Sequence, residues 1–170
     1  LAASSVQPPL EWVNPFLYAP AIAPHIAALE ADRPIDLKVI QQALEMLQTL
    51  ADVIWVEGVG GFRVPLDEEH DTADLAERLG LPVILVVGMR LGCLNHALLT
   101  AEAITYRNLH LAGWIANRID PAMGRFVANL ACLQNRLEAP LVGVVPYGEM
   151  SDSASAALRL SVLPGFAPAI

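Results

Sequence analysis

Short runs of consecutive apolar residues alternate along the chain with longer stretches whose apolar positions recur every three or four residues. The runs fall at 53–56, 83–87, 111–116 and 141–145. Each is bounded by glycine, proline, asparagine or an acid, and each predicts a short strand buried on both faces of a parallel sheet. The periodic stretches predict helices. Leu37, Ile40, Leu44, Leu47 and Leu50 follow Asp36, a good cap. Asp71 and Asp74 open a stretch that Gly80 ends. A third helix is expected over 94–106. Asp120 and Pro121 read as the cap and first position of a fourth, running through Phe126, Leu130, Leu133 and Leu137. A last helix is expected over 151–160, followed by a tail from Pro164. Residues 1–24 carry Pro8, Pro9, Pro15, Pro20 and Pro24 without sustained periodicity and are expected to be extended and turning.

This alternation predicts one α/β domain over residues 1–170: a three-layer α/β/α arrangement with a mostly parallel sheet and crossover helices. Open parallel sheets bind ligands beyond the carboxyl ends of their strands. Four loops are therefore expected to carry function: 57–61, 88–95, 117–120 and 146–149. The first is the most suggestive. A strand ending on Glu57 runs into Gly58, Val59, Gly60 and Gly61, and glycines let backbone N–H groups approach an anion closely. Alternatively, this is only a strand and a turn, with Glu57 solvated or capping a helix.

Composition narrows the partners. Of the 170 residues, 55% are hydrophobic and 16% charged, and mean hydropathy is +0.47. That balance implies a large core or a sizeable subunit interface. No apolar run approaches the roughly 18 residues of a membrane span, and residues 1–10 show no basic region ahead of an apolar one. No membrane partner is expected. A net charge of −8 with scattered basic residues argues against binding a nucleic-acid backbone. Cys93 and Cys132 lie far apart, and the four histidines lack metal-ligand spacing, so reduced thiols in a cytoplasmic protein are the simplest reading. The only lysine is Lys38, in a helical stretch. No residue here can serve as the phosphate-gripping lysine of a glycine-rich loop.

Four stretches together resemble the dethiobiotin synthetase family: VEGVGGFRVPL at 56–66, LPVILVVGMRLGCLNHALLT at 81–100, LAGWIANRID at 111–120 and APLVGVVPY at 139–147. The second is the most specific. The resemblance implies a fold like that of P-loop NTPases and an ATP- and Mg²⁺-dependent ring closure of 7,8-diaminononanoate with CO₂. It also implies a cytoplasmic homodimer, with residues 91–99 on the dimer side. Glu57 matches the family's metal-binding glutamate. Gly58, Val59, Gly60 and Gly61 match amides facing phosphate or the reacting carbamate, with Gly60 the catalytic choice. Gly92, Cys93, Leu94 and Asn95 match a helix start that takes the substrate's carboxylate across the dimer interface, unless Asn95 merely caps that helix. Asn117, Pro146 and Tyr147 match residues near adenine, and an amide can pair with adenine in both directions. Two positions depart from the pattern: Asn129 stands where some relatives carry tyrosine, and Arg90 where lysine is usual.

The resemblance also implies a strand, a phosphate loop with Gly-Lys-Thr, a helix and a lysine-bearing strand ahead of these stretches. The chain contains none of them. It is expected to correspond to the carboxyl-terminal two-thirds of the enzyme and, alone, to be inactive. Rival readings are an amide synthase of the same fold and a non-catalytic interaction module.

Overall fold

The computed structural model describes residues 4–148 and 158–163. It divides into two compact units, Leu1–Gly80 and Leu81–Ile170, taken in turn.

The first unit is helical. One turn, α1 (Leu10–Val13), and a short helix, α2 (Pro24–Glu30), lie within and just beyond the stretch expected to be irregular. Pro24 sits at the start of α2, where a missing N–H costs nothing because the first turn has no intrahelical acceptor. Arg33 ties the neighbouring chain down: it donates to the Pro15 carbonyl at 2.8 Å and lies 5.4 Å from the centre of the Phe16 ring. The Tyr18 hydroxyl donates to the Arg33 carbonyl at 2.7 Å. Burial pushes the Tyr18 pKa up, and the Arg33 charge only partly offsets it.

The helix α3 (Leu37–Gln48) starts where expected, with the Asp36 carboxylate accepting from Lys38 N–H at 2.8 Å. It buries Leu37 in a small core with Ala28, Ile35 and Leu66, against which Ile40 also packs. Asp36→Ala should therefore cost about 1 kcal/mol, the usual worth of such a cap. Urea unfolding checks this, and an unchanged midpoint would show the cap to be idle.

The next helix, α4 (Thr72–Leu79), opens with a reciprocal capping box. Asp71 accepts from Ala73 and Asp74 N–H, and Asp74 accepts from Asp71 N–H at 2.7 Å. Gly80 closes it in the left-handed conformation, φ +61°.

The strand expected at 53–57 is a correction. Residues 53–58 have no regular secondary structure, and Val53, Trp55 and Val56 are about half exposed. An apolar run becomes a strand only when a neighbour supplies a ladder, and no described strand pairs with it.

The second unit is a parallel α/β sheet. The strands β1 (Val83–Gly88), β2 (Leu111–Asn117) and β3 (Leu141–Val145) lie side by side in that order. The helices α5 (Cys93–Tyr106) and α6 (Phe126–Arg136) make the crossovers. Alternation along the strands gives two cores. Leu85, Val87, Trp114 and Ala116 pack in a cluster with Cys93 and Ala97 of α5 and Leu133 of α6. Ile84 and Ile115 pack in a second with Val142, Leu158, Leu160 and Leu163.

Two expectations shift here. Pro121 is not the first residue of α6. Asp120 instead accepts from Ala122 N–H at 2.9 Å in a local turn, and α6 begins after Arg125, whose φ is +64°. The same i→i+2 bond caps α3 and α4, but here the turn it closes is not continued: Arg125 in the left-handed region interrupts the chain before α6. Of the helix expected at 151–160, residues 151–157 lie outside the described residues. Leu158 forms an isolated bridge with Gly143, and Leu160–Val162 is a single 3₁₀ turn. The tail from Pro164 also lies outside them.

Candidate functional site

In the second unit the register brings three predicted loops to one edge. Gly88 pairs with Asn117, and Asn117 with Val145, so the chain segments after β1, β2 and β3 leave the sheet in line. Met89 N–H donates to Asn117 O at 2.7 Å, and Arg118 N–H to Val145 O at 2.9 Å. The half-buried Asn117 side-chain amide makes no hydrogen bond to a described residue, which leaves its donors and acceptor open to a ligand. Pro146 and Tyr147 follow the strand residue paired with Asn117, and Tyr147 is exposed. Arg118 lies over the Phe126 ring at 5.2 Å and donates to the Pro121 carbonyl, which fixes the turn after β2.

The start of α5 is sharper than the sequence indicates. Gly92, at φ +92°, is the capping residue, so Asn95 is not the cap and stands exposed in the first turn. Cys93 N–H already donates to the Arg90 carbonyl at 3.0 Å. Its thiol is buried in the core cluster, free and unpaired with another cysteine. The Leu94 and Asn95 N–H groups have no described acceptor, and they are what this helix start can offer a carboxylate.

The Glu57 loop belongs to the first unit. Glu57 is exposed, and its carboxylate caps no described helix and pairs with no described residue. Gly61 N–H donates to the Val59 carbonyl at 3.0 Å, closing a three-residue γ-turn around Gly60 at φ +75°. That turn uses the Gly61 N–H internally, while those of Gly58, Val59 and Gly60 have no described acceptor. A Cβ on Gly60 would meet only Val64 Cγ2, at 3.9 Å; it is the positive φ that calls for glycine there.

The loop's return, which the sequence does not signal, is stitched to α4. Leu66 N–H donates to the His70 carbonyl, and Pro65 bridges Asp71. Arg63 forms a salt bridge with Asp71. The hydroxyl of Thr72 reaches the Gly61 and Phe62 carbonyls. Just beyond, burial opposes ionisation of Asp67, but Glu69 and His70 N–H and the His70 ring outweigh it and hold its pKa below the usual value.

Among the described residues, no three His, Cys, Asp or Glu gather into a group able to hold a metal unaided. A lone free carboxylate suits an ion that takes most of its oxygens from phosphates and water, as Mg²⁺ does. A cavity of about 730 Å³ lies at the other edge of the sheet, between Tyr106, His110, Arg136 and Pro140. It contains none of the predicted site residues. No described helix is long and apolar enough to cross a membrane.

The comparisons with known proteins bear on the family of the chain. A family described as an AAA domain matches residues 2–155. The ATP-dependent dethiobiotin synthetase of Aromatoleum aromaticum is 60% identical over 164 residues, covering 96% of this chain and 72% of the relative. That of Nitrosospira multiformis is 52% identical over 89% of this chain and 67% of the relative. That of Ralstonia nicotianae is 48% identical over 96% and 71%. Identity of this order, running almost from end to end through a parallel α/β sheet, places the chain in the dethiobiotin synthetase family.

Proposed function

We propose that the protein containing this chain closes the ureido ring of dethiobiotin from 7,8-diaminononanoate, CO₂ and ATP, with Mg²⁺, as a cytoplasmic homodimer. The observation that carries the reading is the 60% identity over 96% of the chain to an enzyme named for that product. The chemistry has three steps. One amine of the substrate adds to CO₂ and loses a proton, giving a carbamate. A carbamate oxygen takes the γ-phosphoryl group, releasing ADP. The second amine then attacks the carbamate carbon and expels phosphate, closing the ring.

Little of this needs a protein nucleophile; it needs positioning and charge stabilisation. Glu57 would hold Mg²⁺, which supplies a counter-charge for the phosphate oxygens. The N–H groups of Gly58, Val59 and Gly60, which have no described acceptor, would receive anionic oxygen, with Gly60 nearest the reacting carbamate in this reading. The amides of Leu94 and Asn95, at the Gly92–Cys93 turn, hold the substrate's carboxylate. Asn117, Pro146 and Tyr147 receive adenine. Leu91 is 97% exposed, and Leu99 and Tyr106 also stand out from α5, an apolar surface suited to a second copy.

Turnover assays on the full-length protein test the proposal: dethiobiotin should form only with the diamine, bicarbonate and MgATP together. The 170-residue chain alone, with Lys38 as its only lysine, should form none. A full-length protein that makes no dethiobiotin overturns the reading, and so does activity independent of ATP.

A further inference from the structure

We infer that Thr72, which lies outside the glycine loop, is a positioning residue that sets the direction of the loop's amides. This rests on the reading that the loop meets phosphate. Thr72 is the first residue of α4 and is 9% exposed. Its hydroxyl oxygen lies 2.7 Å from the Phe62 carbonyl and 3.2 Å from that of Gly61, and accepts from Val64 N–H at 2.9 Å. Its own N–H donates to the Val64 carbonyl at 2.9 Å. The side chain thus lies against three consecutive peptide groups, and the main-chain N–H of the same residue holds a fourth. The hydroxyl has one proton, so it donates to one carbonyl at a time, and Phe62 has the better distance.

The consequence follows from peptide geometry. No peptide bond here is cis, and in a trans peptide the C=O and N–H point in opposite directions. Drawing the Gly61 and Phe62 carbonyls onto the end of α4 therefore turns the N–H groups of Phe62 and Arg63 away from it. Neither N–H has a described acceptor. They add two amides beyond the γ-turn to those of Gly58, Val59 and Gly60, so the amides offered to an anion are those of 58–60 and 62–63, with the Gly61 N–H spent in the turn. The Arg63 guanidinium is paired with Asp71, the cap of α4.

The test uses the full-length protein with Thr72→Val, which keeps the shape and removes the hydroxyl, and Thr72→Ser, which keeps the hydroxyl. Two readouts are followed: steady-state kinetics, and the backbone amide resonances of Gly60, Phe62 and Arg63 during titration with Mg²⁺ and adenylyl imidodiphosphate. In the wild type all three amides should shift. Thr72→Val should lose the Phe62 and Arg63 shifts and about tenfold in kcat, with KM for ATP and the folded fraction unchanged. Thr72→Ser should restore both readouts. An unchanged kcat in Thr72→Val, or equal losses in both variants, overturns the positioning role while the Gly60 response keeps the phosphate reading. Silence of all three amides in the wild type overturns the phosphate reading and this inference with it.

Discussion

Glu57→Gln is expected to lower kcat of the full-length protein by about a hundredfold or more, the scale of a lost metal counter-charge in phosphoryl transfer. Glutamine keeps the shape and removes the charge. Because Glu57 is exposed and its carboxylate bonds to no described residue, stability should change by no more than about 0.5 kcal/mol. That separation makes the variant informative: folding is spared while metal binding weakens. The Mg²⁺ concentration needed for half-maximal rate should rise, and excess Mg²⁺ should recover part of the loss. Wild-type turnover in Glu57→Gln at limiting Mg²⁺ would remove Glu57 from the site. A lowered unfolding midpoint would mean that the carboxylate has a structural partner.

Gly113→Val should have the largest effect on stability, about 3 kcal/mol or more, the upper range for forcing volume into a packed core. A Cβ at Gly113 would lie 2.7 Å from Val142 Cγ2, 2.9 Å from Leu163 Cδ2 and 3.3 Å from the Pro140 carbonyl oxygen. Val142 is fully buried, and the Pro140 oxygen is held as the acceptor for Trp114 N–H. Neither can retreat without breaking the β2–β3 pairing. Gly88 provides the contrast. Its Cβ would meet Ile119 Cδ1 at 2.8 Å, but Ile119 is 44% exposed and can rotate away. Gly88→Ala should therefore cost about 1 kcal/mol or less. Urea unfolding of both variants decides the matter: equal midpoints would mean that Gly113 is not held as closely as these distances require.

Legibility in the sequence followed the range of the interactions. The α3 cap at Asp36, the box of Asp71 and Asp74 and the stop at Gly80 are settled within a few residues, and all stand where their residue types place them. The three paired strands were legible because each apolar run is bounded by turn residues and followed by a helical period. Residues 53–57 carry the same local pattern without forming a strand, since pairing depends on a neighbour that the pattern does not contain. Pro24 and Pro121 show the opposite difficulty: one starts a helix, while the turn at the other is broken by the left-handed Arg125 before α6 begins. At the candidate site, the sequence offers Glu57 and Gly60 in a glycine loop and Asn117 at a strand end as residue types, and the structure keeps Asn117 as the last residue of β2. The internal use of the Gly61 and Cys93 amides was not, nor was the contact from Thr72, which reaches back ten and eleven residues.

The stitching of the glycine loop onto α4 also bears on when the loop acquires its shape. The bonds that define it span at most eleven residues, so closing them carries little of the entropy cost of distant contacts. Segments of this separation close in about 10–100 ns, and hairpin-sized structures form within about 1–10 μs. By contrast, β1 and β2 must meet across a whole crossover helix, with Val83 opposite Leu111. The glycine loop can thus take shape early in folding, as soon as the first turn of α4 exists, before the second unit's sheet has paired.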